Sequence, residues 1–133
     1  MDYLNSWAQN VIKRKSIPLQ KVIEAEGLRD THLGPRWEFA KIKIQAEPSD
    51  NFVVHFNIND SKREKLDREG YLQAAIFGIC DVLLVSNQAP LRDICITFLD
   101  AEEHEVDSSP NAFRMAGRDA ARKLMEKALS SSH

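Results

Sequence analysis

The sequence predicts an α+β fold, a two-layer sandwich with one small sheet covered on one face by helices. Three observations predict it. Residues 37–46 and 52–58 alternate apolar and polar with a period of two. Residues 69–85 and 110–128 switch to apolar residues at helical spacing. Between those helical stretches Ile94, Ile96 and Phe98 alternate with Asp93, Cys95 and Thr97. The resulting order is α-β-β-β-α-β-α.

The first element is a helix over residues 3–15. Leu4, Trp7, Ala8, Val11 and Ile12 form one apolar stripe, and Lys13, Arg14 and Lys15 place cations at the helix C-terminus. Pro18 stops it. The stripe either docks on the domain's own core, the commoner fate of an amphipathic helix, or binds a protein partner. Residues 19–27 read as a strand ended by Gly27, and residues 28–36 as a polar connection with a Gly34-Pro35 turn. In residues 37–46, Ala40, Ile42, Ile44 and Ala46 face one way while Lys41, Lys43 and Gln45 face the other. After a turn at residues 47–51, Phe52, Val54, Phe56 and Ile58 alternate with His55 and Asn57. These spacings predict three successive antiparallel strands.

Residues 59–68 read as a charged connection. The helix over 69–85 follows, with Leu72, Ala75, Ile76, Ile79, Cys80, Leu83 and Leu84 on its buried face. The last helix starts near Pro110, with Ser109 as N-cap and Pro110 at the first helical position. Its stripe of Phe113, Ala116, Gly117, Ala120, Leu124 and Ala128 is built of small residues, which predicts close approach to a helix or to the sheet. The domain division is an amphipathic helix over residues 1–18 and one domain over 19–130.

Composition limits the function. A chain of 133 residues with 43% apolar and 29% charged residues fits one globular domain. No apolar run reaches the roughly 20 residues of a membrane span, and the first residues hold no signal-peptide core, so the expectation is a cytoplasmic protein without membrane contact. Net charge is −2, against a generic nucleic-acid binder, although residues 1–46 carry net +3 and residues 47–133 net −5. Cys80 and Cys95 sit in apolar segments and read as reduced, buried thiols.

Catalytic readings fail on spacing. His104, Asp107 and Ser108 are near in sequence, but a triad is assembled in space. Glu102, Glu103, His104 and Glu105 lie at a strand end and do not share a helix face as metal ligands of the H-E-x-x-H type do. The five glycines are scattered, so no phosphate loop exists. No catalytic residue, metal site or cofactor is expected, and the protein reads as a non-enzyme.

A family resemblance adds to this. Val22-Ile23-Glu24-Ala25-Glu26-Gly27, Arg29-Asp30-Thr31, and Ala40-Lys41-Ile42-Lys43-Ile44-Gln45-Ala46-Glu47-Pro48 are followed by Asp93-Ile94-Cys95-Ile96-Thr97-Phe98-Leu99-Asp100. Then come His104-Glu105-Val106-Asp107-Ser108-Ser109 and Ala112-Phe113. This run resembles D-V-x-V-x-L-x-D-G-x-x-H-x-V-D-S-S-x-x-A-F of domain IV of elongation factor G, and the similarity spans residues 19–128. The resemblance implies the family's β-β-β-α-β-α order with a left-handed βαβ crossover, against the general right-handed rule. It implies two tip loops that touch RNA on the ribosome, as in the ribosomal-protection proteins. Residues 31–37 match the first loop and residues 104–108 the second, with His104 as the tip histidine.

The implied contact residues are Arg29, Thr31, His32, Arg36, Trp37, His104 and Ser108. The departures are specific. The family's glycine-rich first loop is here His32-Leu33-Gly34-Pro35-Arg36-Trp37, in which Trp37 adds a stacking surface. The isoleucine-proline segment before the long helix is replaced by residues 59–64, and no GTPase domain is present in the chain. The expectation is a stand-alone module that binds ribosome or structured RNA, with a protein-interaction module as the alternative. The RNA reading calls for two loops meeting at one tip with positive potential and an exposed Trp37.

Overall fold

A computed structural model describes residues 19, 21–84, 93–104 and 107–130. The helix expected over residues 3–15 lies outside them, as does Val85. Among the described residues four strands and three helices follow in order: β1 (Ile23–Leu33), β2 (Arg36–Pro48), β3 (Val53–Phe56), α1 (Asp60–Arg68), α2 (Tyr71–Leu83), β4 (Ile94–Glu102) and α3 (Pro110–Ser130). They form an α+β domain with a mixed sheet of order β1-β2-β4-β3.

β1 and β2 make one long antiparallel hairpin, paired from Ile23 opposite Ala46 to Leu33 opposite Arg36. The polar connection expected over residues 28–36 is therefore mostly strand, and the turn is only Gly34-Pro35. Gly34 takes φ +65, a left-handed backbone that glycine adopts without cost. Cross-strand contacts extend the strand here: Arg29 pairs with Glu38, Trp37 donates to Asp30 and His32 stacks on Trp37.

The third strand also differs from expectation. β3 does not pair with β2; it lies at the sheet edge, parallel to β4, from Val53 opposite Cys95 to Phe56 opposite Phe98. β4 takes an interior place beside β2, and it is buried on most of its length, with Ile94, Ile96 and Phe98 at 1% exposure or less. β3 has only four residues and exposes His55, which suits an edge.

The segment 59–68, expected as a connection, is mainly helix α1. Asn59 caps it, its Oδ1 accepting from the backbone N–H groups of Ser61 and Lys62 at 3.0 and 3.4 Å. Leu66 is its only buried side chain. Ion pairs between Arg63 and Asp67 and between Glu64 and Arg68, one turn apart, support a helix with almost no apolar stripe. Gly70 at φ +75 then breaks the chain, and α2 starts at Tyr71.

The core joins Ile42, Ile44, Ile96 and Phe98 of the sheet to Leu72, Ile79, Phe113 and Leu124 of the helices. Small residues on α3 do two jobs. A Cβ on Gly27 of β1 would overlap the Ala116 carbonyl oxygen, so α3 lies directly on the strand. A Cβ on Gly78 would overlap the Arg114 carbonyl, and one on Gly117 the Ala75 carbonyl, so α2 and α3 touch backbone to backbone. Across that crossing Asp81 accepts from Nε of Arg114 at 2.8 Å and from Nε of Arg118 at 2.9 Å. α3 also reaches the free edge of β1. Asp119 accepts the Leu28 N–H at 3.0 Å, and Lys127 donates to the Glu24 carbonyl.

The Asp81 cluster sets a pH dependence. The hydrogen bond from Arg114, with help from Arg118 and against partial burial, holds the Asp81 carboxyl below the usual carboxylate range. A folded pKa below the unfolded one adds stability above the unfolded value, and this is lost as pH falls through the folded value. Asp81→Asn is expected to lower stability near neutral pH and to flatten the loss below about pH 4, read from urea midpoints across pH.

Candidate nucleic-acid interface

The hairpin register decides which side chains share a face. His32 stands opposite Trp37 and Asp30 opposite Phe39, so all four project from the face of the sheet that the helices leave open. The indole N–H of Trp37 donates to Asp30. The His32 and Trp37 rings stack, with centroids 5.5 Å apart and planes at 6°.

The loop after β4 delivers His104 onto the same rings. Its imidazole stacks on Phe39 at 3.8 Å and 7°, and meets Trp37 edge-on at 4.6 Å. Backbone bonds set this contact. Phe39 N–H donates to the Asp107 carbonyl at 3.0 Å. The Ser108 hydroxyl donates to the Phe39 carbonyl at 2.7 Å and accepts from the His104 N–H at 2.9 Å. Tyr71 donates its hydroxyl to the Ser108 carbonyl at 3.2 Å. Ser109 caps α3 by accepting from the Ala112 N–H at 3.1 Å.

The candidate residues thus divide. His32, Trp37 and His104 form one ring cluster. Arg29 and Thr31 point to the opposite face, where Arg29 pairs with Glu38 at 3.0 Å. Glu38 is 7% exposed and also receives Asn111 Nδ2 at 3.5 Å, so this pair braces the hairpin against the start of α3. Ser108 is turned inward into backbone bonds. Arg36 closes the hairpin opposite Leu33, and its side chain lies outside the described ones. Sequence reasoning missed Asp30, Phe39 and Glu38 as parts of the tip. An aromatic at 39 falls on the solvent face when the alternation of residues 40–46 is continued backward, and that was the available signal.

The two loops meet, and the described lysines beside them are paired with carboxylates. Lys62 pairs with Asp100 at 2.6 Å, Lys65 with Glu103 at 3.2 Å and Lys41 with Glu26 at 4.0 Å. The Lys62 ammonium holds the Asp100 carboxyl below its usual range against the opposing effect of burial. Trp37 is half-buried rather than fully exposed. An open groove of about 690 Å³ adjoins the tip, lined by Ser61, Lys62, Lys65, Glu102, Glu103 and His104.

No group of three metal-ligating side chains occurs among the described residues, and no described helix is long and apolar enough to cross a membrane. Both cysteines are free; burial pushes the Cys80 thiol up to about 11, away from the thiolate needed for reactivity.

Comparison with known proteins agrees with this architecture. The family model "Elongation factor G, domain IV" matches residues 10–129. Elongation factor G of Dehalococcoides mccartyi strain 195 is 31% identical over 107 residues, covering 79% of this chain and 15% of that protein. The same protein of strain BAV1 gives the same identity and coverage. The chain thus spans about 15% of the length of these relatives. A crystal structure of a protein from Thermus thermophilus superposes with a TM-score of 0.71 at 23% identity, over 83% of this chain and 16% of that one, a likeness of fold. The chain belongs to the elongation factor G domain IV family.

Proposed function

We propose that this chain is a non-catalytic module that binds the ribosome or structured RNA through the tip built by His32, Trp37, Phe39 and His104. One observation carries the reading. Two segments more than sixty residues apart are held by backbone hydrogen bonds so that their rings form a single surface. Family membership supports the same use, since the relatives are elongation factors. In this reading Arg29, Thr31 and Ser108 shape the tip, while His32, Arg36, Trp37 and His104 touch the partner. The same reading takes residues 1–18 as a helix apart from the 19–130 domain, the β3-to-β4 crossover as left-handed and the site of action as the cytoplasm.

Co-sedimentation with ribosomes across a salt series tests it. The wild type is expected to pellet with ribosomes at low salt, and His104→Ala and Arg36→Ala to pellet several-fold less. Absence of pelleting at low salt sinks the proposal. The carboxylates of Asp30, Glu102, Glu103 and Asp107 around the tip favour a second reading, a protein-interaction module that keeps the fold without ribosome contact. Retention of the chain by a basic protein surface, with no ribosome binding, supports that reading instead.

A further inference from the structure

We infer that the group this tip accepts is an unpaired nucleobase, taken by stacking against the His32–Trp37 pair, rather than a backbone phosphate. The inference rests on the RNA reading above and narrows it. The two rings lie parallel within 6° at the end of the β1–β2 hairpin. Trp37 is fixed along one edge by Asp30 and against its other neighbours by Phe39 and His104. His32 is exposed, so the stacked pair offers its outer ring face as a preformed flat surface whose ordering cost is met on folding.

Charge argues against phosphate. Of the cations near the tip whose side chains are described, Arg29, Lys41, Lys62 and Lys65 each face a carboxylate, so a phosphate would have to displace an ion pair at each. It would also approach Asp30 beside the indole and Glu103 beside the adjoining groove. A neutral base meets none of these penalties, and every base has a π-face to stack. In a duplex both faces of a base are already covered, so the substrate is a single strand, a loop or a bulge.

The test uses a labelled oligouridine, an abasic ribose-phosphate chain of equal length, a blunt RNA duplex and a lysine-rich peptide. Titrations run across salt, with Trp37 fluorescence followed in a Trp7→Phe background. Oligouridine is expected to quench Trp37 and to bind at least tenfold more tightly than the abasic chain or the duplex, with a shallow salt dependence. His32→Ala and Trp37→Ala should each weaken oligouridine roughly tenfold, and His32→Tyr should retain it. Circular dichroism confirms that each variant is folded. Equal binding of the abasic chain, a salt slope of several phosphates, or binding of the peptide without the oligonucleotide overturns the inference. Ribosome pelleting that persists unchanged in His32→Ala leaves the function above standing and removes this refinement alone.

Discussion

Gly117→Val is expected to lower the free energy of unfolding by about 3 kcal/mol, seen as a shifted midpoint in urea. The valine Cβ would occupy the place of the Ala75 carbonyl oxygen, an atom of the α2 backbone that no rotamer change can move. Relief requires the two helices to part, and the contact is reciprocal: Gly78 stands in the same relation to Arg114. Separation at one glycine opens the other and loosens the Asp81 bridges beside it. Domains of this kind hold roughly 5–15 kcal/mol in total, so the loss is a large share. Gly34→Ala is the control. Nothing lies near a Cβ there, and the cost should be confined to about 1 kcal/mol of left-handed backbone. Equal losses at the two sites would refute the packing argument.

Phe98→Ala should cost about 4 kcal/mol, the range for a fully buried aromatic. Phe98 is 0% exposed, lies on the interior strand β4 and stacks with Phe56 at 5.3 Å. It also sits where the β2–β4 register shifts, so that Ile44 faces Phe98 while Lys43 faces Asp100. The ring therefore fills the space under an irregular part of the sheet, where neighbours have little freedom to collapse into a cavity. Phe98→Leu should recover much of the loss, because it restores most of the buried volume. A loss below about 1 kcal/mol for the alanine variant would contradict this account.

What could be read before the structure depended on how local the cause was. Ala40, Ile42, Ile44 and Ala46 are each 0% exposed, and their strict alternation identified β2 without ambiguity. The small stripe on α3 was equally informative, because close packing leaves few alternatives to glycine and alanine. Helix α1 was opaque: only Leu66 is buried, and its support comes from a cap and from pairs along its own surface. The place of β3 was opaque for another reason. Parallel pairing with β4 joins residues about forty positions apart, and period-two alternation looks the same beside either neighbour. At the tip, His104 stood out through the family resemblance and Trp37 as a departure from the family's first loop. Phe39, Asp30 and Glu38 did not, because their roles depend on a hairpin register that continues past the apolar residues.

The bonds from α3 to the outer side of β1 have a consequence for the molecule's behaviour in a crowd. An eleven-residue border strand is a template on which a stray extended chain can crystallise into a ribbon. Here Asp119 and Lys127 occupy two of its rungs. The other border, β3, is too short to recruit much. The long hairpin therefore carries His32 and Trp37 at its end with part of its outer side already paired.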